Sequence, residues 1–130
     1  MPAAPSLIEA LKDKDELVRK YAERSLAKLG IETSTDVVKL IMALGHNNHL
    51  ERLRAAVVLG LMGSKAHAAV PALVKAVSDK GAAVSIEAIE ALGKIGGKAR
   101  DAVPCLKEAQ KTNDYAVRHA ASLALQMIGT

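Results

Sequence analysis

An all-α, right-handed α-solenoid is the architecture this chain predicts: an α-α superhelix of four helical hairpins laid side by side. Three observations lead to it. A 33-residue period runs through the sequence, the apolar residues of each period fall at helical spacing, and Phe and Trp are absent. The period is carried by Gly30, Gly63, Gly96 and Gly129, by Leu26, Leu59, Leu92 and Leu125, and by Ala22, Ala55, Ala88 and Ala121, without insertion or deletion. It divides the 130 residues into units 1–30, 31–63, 64–96 and 97–130 of a single domain. A core with two tyrosines and no other large aromatic must be filled by Leu, Ile, Val, Met and Ala, and small Ala side chains let helices approach closely.

Each unit opens with a first helix. From Pro5 to Lys12 the apolar Leu7, Ile8 and Leu11 share a face, and proline suits a first turn whose N–H needs no partner. Pro71 and Pro104 recur there, with Val38 in the second unit. Polar turns follow at 12–15, 45–48, 78–81 and 111–114, rich in Asp, Asn, Ser and Gly, which favour turns and N-caps. A second helix then runs from Asp15 to Leu29, with Val18, Ala22, Leu26 and Leu29 on one face, and the periodic glycine supplies a left-handed stop. The run Gly93 to Gly96 reads as a helix end followed by that glycine.

A period of 33 is also the ankyrin length, but no T-P-L-H-x-A signature occurs, and the Trp and Tyr of tetratricopeptide units are missing from their places. The pattern Asp15-x-x-Val18-Arg19-x-x-Ala22-x-x-x-Leu26-x-x-Leu29-Gly30, with Asp114-x-x-Val117-Arg118-x-x-Ala121-x-x-x-Leu125-x-x-Ile128-Gly129 at the other end, resembles the HEAT repeat. It is most similar to the short form first associated with phycobilisome lyases. The resemblance covers all four units and implies the fold while leaving function open. It also implies that Asp15 with Arg19, Asn48 with Arg52, and Asp114 with Arg118 form a ladder tying one unit to the next. The third unit has Gly81 and Ser85 instead, losing both partners together.

The outermost units of a stacked array turn polar where they have no neighbour. Lys107 and Gln110 replace apolar residues of the last first helix, and Lys20, Glu23, Arg24 and Lys28 replace the Leu53, Ala56, Val57 and Leu61 of the second unit. Both ends therefore read as capped, although Leu123 and Met127 stay apolar near the C-terminus and leave room for self-association or a longer array.

Second helices line the concave side of such a solenoid, so the stripe opposite their core positions is the expected binding surface. Across the units it reads Glu16, Lys20, Glu23, Arg24; His49, Leu53, Ala56, Val57; Ala82, Ile86, Ile89, Glu90; and Tyr115, His119, Ser122, Leu123. Apolar residues at positions facing water point to a protein or peptide partner. The expected contacts are Leu53, Val57, Ile86, Ile89 and Leu123, with Tyr115 and His119 as polar anchors. Ile89 and Ala56 lie toward the flank, where packing against the next hairpin competes with exposure.

Catalysis, cofactors and metals find no support. There is no G-x-S-x-G elbow and no phosphate-cradling G-x-x-x-x-G-K. His46 and His49 stand three apart, but no Cys, Asp or Glu completes a metal shell around them, and His67 and His119 have no catalytic neighbour. The single cysteine, Cys105, excludes an internal disulfide and sits where a passive thiol is expected. No apolar run approaches the ~18 residues of a membrane span, and Met1 to Pro5 lacks the shape of a signal peptide, so the expected location is the cytoplasm.

The rival reading is binding of nucleic acid or another polyanion through Lys94, Lys98 and Arg100. The formal net charge of +4 is diluted by 14 acidic residues, and Lys20 and Arg24 mix with Glu16 and Glu23 rather than forming a basic field.

Overall fold

The computed structural model describes residues 34–129. The first expected hairpin, its polar second helix and the Asp15–Arg19 pair lie outside the described residues. Six α-helices follow: α1 (Ser34–Ala43), α2 (His49–Met62), α3 (Val70–Ala76), α4 (Ala82–Ile95), α5 (Val103–Ala109) and α6 (Tyr115–Ile128). They pair as three hairpins, α1 with α2, α3 with α4, and α5 with α6.

The second helices begin and end where the periodic pattern predicts, each 14 residues long. Asn48 caps α2 by accepting from the Leu50 N–H at 2.8 Å, and Asp114 caps α6 by accepting from the Ala116 N–H at 2.9 Å. A side-chain cap of this kind is worth about 1 kcal/mol. Gly81 precedes α4 without one. Pro71 and Pro104 stand in the first turns of α3 and α5.

The periodic glycines terminate these helices with positive φ, but not all in the left-handed helical well. Gly129 has φ 98° and ψ 39°, whereas Gly63 (61°, −140°) and Gly96 (78°, −143°) adopt a conformation only glycine enters cheaply. Chain direction is the reason. After Gly63 and Gly96 the backbone turns straight into the 3₁₀ segments Gly63–Ala69 and Gly96–Ala102, which lead into α3 and α5. The helical spacing of the apolar residues gives no separate signal for these segments. Their alanines three apart, Ala66 with Ala69 and Ala99 with Ala102, are buried, as a three-residue turn requires. By length and composition alone His49–Ala76 is apolar enough to span a membrane, yet the Gly63 turn and the non-helical Ala66 break it into separate elements.

The helices form two layers. In one, α2, α4 and α6 lie side by side; α1, α3 and α5 form the other, with the 3₁₀ segments packed between successive hairpins. A continuous core from Val37 to Ile128 lies between the layers, and Leu59, Leu73, Ile89, Leu92 and Leu106 are its largest fully buried side chains. Within the second-helix layer the backbones come very close. A Cβ on Gly60 would stand 3.2 Å from Ala91 Cα, and one on Gly93 3.0 Å from Ala124 Cα. These are the same crossing repeated one unit on. Gly93 lies in the last turn of α4, ahead of the Gly96 stop as the sequence predicts, and is at the same time a buried packing residue.

Of the expected ladder a single rung crosses between the described units, and its pairing differs from the expected one. Arg52 Nε donates to Asp79 Oδ1 at 2.6 Å, so the acid partner stands in the turn of the following hairpin rather than at Asn48. Arg52 Nη1 also donates to the carbonyls of His46 and Asn47, at 2.8 and 3.0 Å. Asn48 and Asp114 work as N-caps, while Arg118 Nη1 donates to Thr112 O at 3.0 Å. At the equivalent place in α4 the shorter Ser85 donates to Val77 O at 2.6 Å. Burial works against the charge of Asp79, but the Arg52 guanidinium and the Gly81 N–H outweigh it and hold the carboxyl below its ordinary range.

Two measurements check this packing. Gly93→Val drives two methyl groups against the Ala124 backbone and is expected to lower stability by about 1–3 kcal/mol in urea denaturation. Gly97→Ala meets nothing within 4 Å and should stay within about 0.5 kcal/mol of the parent. Because folding depresses the Asp79 pKa, its contribution is present above the unfolded value of about 3.9 and fades as pH falls through the folded value. Asp79→Asn should therefore cost about 2 kcal/mol at pH 7, and its gap to the parent should close below about pH 4. A gap independent of pH would refute this role for the Arg52–Asp79 pair.

Candidate binding groove

The second helices turn one face away from the first-helix layer. On α6 that face carries Tyr115, His119, Leu123 and Met127, four residues apart and hence stacked along one side. On α4 the corresponding row is Ile86, Glu90 and Lys94. The close crossing of Gly93 and Ala124 draws the two rows into the walls of one groove, about 430 Å³ in volume, with Ala120 and Ala124 at its floor. Met127 Sδ lies 3.2 Å from where a Gly93 Cβ would stand.

Its apolar rim meets water: Tyr115 is 68%, Leu123 45% and Met127 55% exposed. Tyr115 is held from two sides despite that exposure. Its ring stacks on His119 with centroids 5.9 Å apart and planes 12° from parallel, and the Arg118 guanidinium lies 5.7 Å from the ring centre. Since Arg118 is itself tied to the Thr112 carbonyl, the aromatic end of the groove is preorganised. Glu90 and Lys94 are both exposed on the α4 wall, one turn apart, so the groove carries both signs of charge and no single-sign field.

Of the residues expected from the sequence, Ile86, Tyr115, His119 and Leu123 come together here. Leu53 and Val57 are half-buried on α2 and are not among the groove's lining residues. Ile89 is a correction. It is wholly buried in the core, because three residues beyond Ile86 turn the side chain about 60° from the open face toward the packed one. Ala56, at the same register in α2, is wholly buried for the same reason.

Sequence reasoning placed Glu90 on the binding stripe without naming it as a contact, and passed over Met127 and Lys94 as groove residues. The signal was the four-residue step from Leu123 to Met127 and its 33-residue echo in Leu61 and Lys94. Lys98 and Arg100, grouped with Lys94 in the polyanion reading, are exposed on the second 3₁₀ segment.

Three polar side chains outside the groove have structural work. His46 Nδ1 accepts from the Asn48 N–H at 3.0 Å, closing the turn before α2. Asp79 and Thr112 accept at the same register, from Gly81 and Asp114 respectively, so three different side chains perform one turn-closing task. Among the described residues no three His, Cys, Asp or Glu side chains gather as a metal site would require. Burial pushes the Cys105 thiol up, away from the thiolate a nucleophile needs, and its Sγ lies 3.9 Å from Val74 O.

A family model described as HEAT repeats matches residues 37–126. No curated protein matches the chain. Among solved structures, the complex of CpcE and CpcF of phycocyanin lyase from Nostoc sp. PCC7120 is similar at 20% identity and TM-score 0.75, over 97% of this chain and 78% of that one. An archaeal HEAT-like repeats protein from Thermococcus onnurineus NA1 is similar at 20% identity and TM-score 0.67, over 98% and 52%. A designed armadillo repeat protein in complex with the peptide (KR)4 is similar at 22% identity and TM-score 0.65, over 97% and 64%. The chain thus spans less than two thirds of the length of the last two, and at these identities the likeness is one of fold.

Proposed function

Because the chain belongs to the HEAT-repeat family, we propose that it works as a non-catalytic protein-interaction module that grips an apolar segment of a partner protein in the groove between α4 and α6. One observation carries the reading: Tyr115, Leu123 and Met127 remain exposed along a preformed groove with an alanine floor. Soluble domains rarely leave such a row in water without use, and a rigid concave wall loses little entropy on binding. The contacts would be Leu123, Met127 and Ile86 for the apolar anchor. Tyr115 and His119 would close one end, and Glu90 with Lys94 would orient the partner's polar groups. Leu53 and Val57 would extend the surface for a longer segment. HEAT and armadillo folds serve widely as scaffolds, and one neighbour is seen with a bound peptide, which supports this class of work without naming a partner.

A peptide selected from a random library against the immobilised protein provides the test. Leu123→Glu and Met127→Glu change exposed side chains, so the fold should survive, and each should weaken the peptide at least about tenfold. Lys39→Glu, on exposed α1, should leave it unchanged. Undiminished binding by both groove variants would assign recognition to another surface. Salt-sensitive binding of duplex DNA, lost on changing Lys94, Lys98 and Arg100 to Ala, would instead favour the polyanion reading. Light scattering that shows a dimer dissolved by Leu123→Glu would make the partner a second copy of this chain.

A further inference from the structure

The last two hairpins border a second, open cavity, about 540 Å³, at the turn end of the molecule; it shares no lining residue with the groove. Unit three lines it with the 78–80 turn, Ala82 and Ser85, and unit four with Cys105, Glu108, Thr112 and Asp114. The preceding interface shows what such a space is built to hold. There the guanidinium of Arg52 reaches from α2 to Asp79 and to the carbonyls of His46 and Asn47. One period on, these three residues are Thr112, Asp79 and Lys80, and all of them line the cavity.

Substitutions convert the filled space into an open one. Ser85 stands in place of Arg52 and Ala82 in place of His49, which removes the two large side chains that occupy the first interface. Glu108 stands in place of Lys75 and Asp114 in place of Gly81, which replaces one cation and adds two carboxylates, while Thr112 in place of Asp79 removes one. Arg118 in place of Ser85 brings a guanidinium to the Thr112 carbonyl. Thr112 keeps the local shape, since its Oγ1 closes the turn to Asp114 N as Asp79 does to Gly81 N. Ser85 donates to Val77 O and leaves the remaining volume unclaimed.

We propose that this cavity is a guanidinium niche, which takes an arginine side chain from a partner protein where the first interface uses the chain's own Arg52. The entering fork meets the carbonyls of Asp79 and Lys80 and Thr112 Oγ1, with Glu108 and Asp114 supplying negative charge. Asp79 is already paired with Arg52, and Lys80 and Arg118 bring positive charge to the same turns, so Glu108 and Asp114 are the carboxylates left to meet an entering cation. Glu108 is paired with Lys111 at 3.2 Å, but that pair is about three-quarters exposed and worth little, so its carboxylate can turn to a new cation. The free amino acid is disfavoured because its own carboxylate would face these two, whereas an arginine within a polypeptide has none. This niche stands independently of the reading given to the groove.

The test titrates the folded protein with N-acetyl-arginine amide and follows the amide resonances of Ser85, Thr112 and Asp114. Saturable shifts in the millimolar range are expected. The neutral citrulline analogue should bind at least about tenfold more weakly, because it keeps the shape and loses the charge. Ser85→Arg, which fills the niche from within, should abolish the shifts. Glu108→Gln combined with Asp114→Asn should weaken binding several-fold in a chain that still folds, since Asn48 performs the same cap in α2. Absence of saturation, equal binding of citrulline amide, or persistence of the shifts in both variants would overturn the proposal. Tighter binding of free L-arginine than of its blocked amide would overturn the assignment to a protein-borne side chain.

Discussion

The close approach of successive second helices is the constraint on which the rest of the structure depends. At Gly60 against Ala91, and again at Gly93 against Ala124, two backbones meet with almost no side chain between them. That contact sets the spacing of the layer, so every other position in a unit meets its counterpart at a repeated distance. The alanine-rich core follows from it, because helices this near leave no room for Phe or Trp. So does the groove, whose two walls are rows on α4 and α6 held apart by the same crossing.

Repetition makes the molecule its own comparison series. One turn position is filled by His46, Asp79 and Thr112, and each accepts a backbone N–H two residues on. One helix position is filled by Arg52, Ser85 and Arg118, and here the chemistry diverges. Arg52 crosses to the next hairpin and Arg118 folds back on its own turn, while Ser85 stays local. The backbone task is kept at every unit, whereas the side-chain task between units is filled at one interface and left open at the next. Such differences on a constant frame are where a solenoid acquires individual binding properties.

The groove and the cavity illustrate two ways of making a site from one repeat. In the groove, polar residues of the inner face are replaced by Leu123 and Met127, which gain nothing from water. In the cavity, the large Arg52 and His49 give way to the small Ser85 and Ala82, and the basic Lys75 gives way to Glu108. Neither requires any change of backbone, which is why both could arise without loss of the stack.

The order and length of the helices were legible in the amino-acid sequence, because a 33-residue period, helical spacing of apolar residues and glycine stops are local properties. The caps of α2 and α6 were legible for the same reason. So was part of the groove: Ile86, Tyr115, His119 and Leu123 follow from periodicity about a single helix axis. What only the tertiary structure decided are the features that depend on a second chain segment. Ile89 went to the core because the neighbouring hairpin covers that flank, and Gly93 proved to be a packing residue because Ala124 stands against it. Arg52 found its acid in the next turn, twenty-seven residues away. A periodic sequence specifies what each unit repeats; which side chains meet across units depends on the offset between stacked helices, and that offset is set by three-dimensional contact.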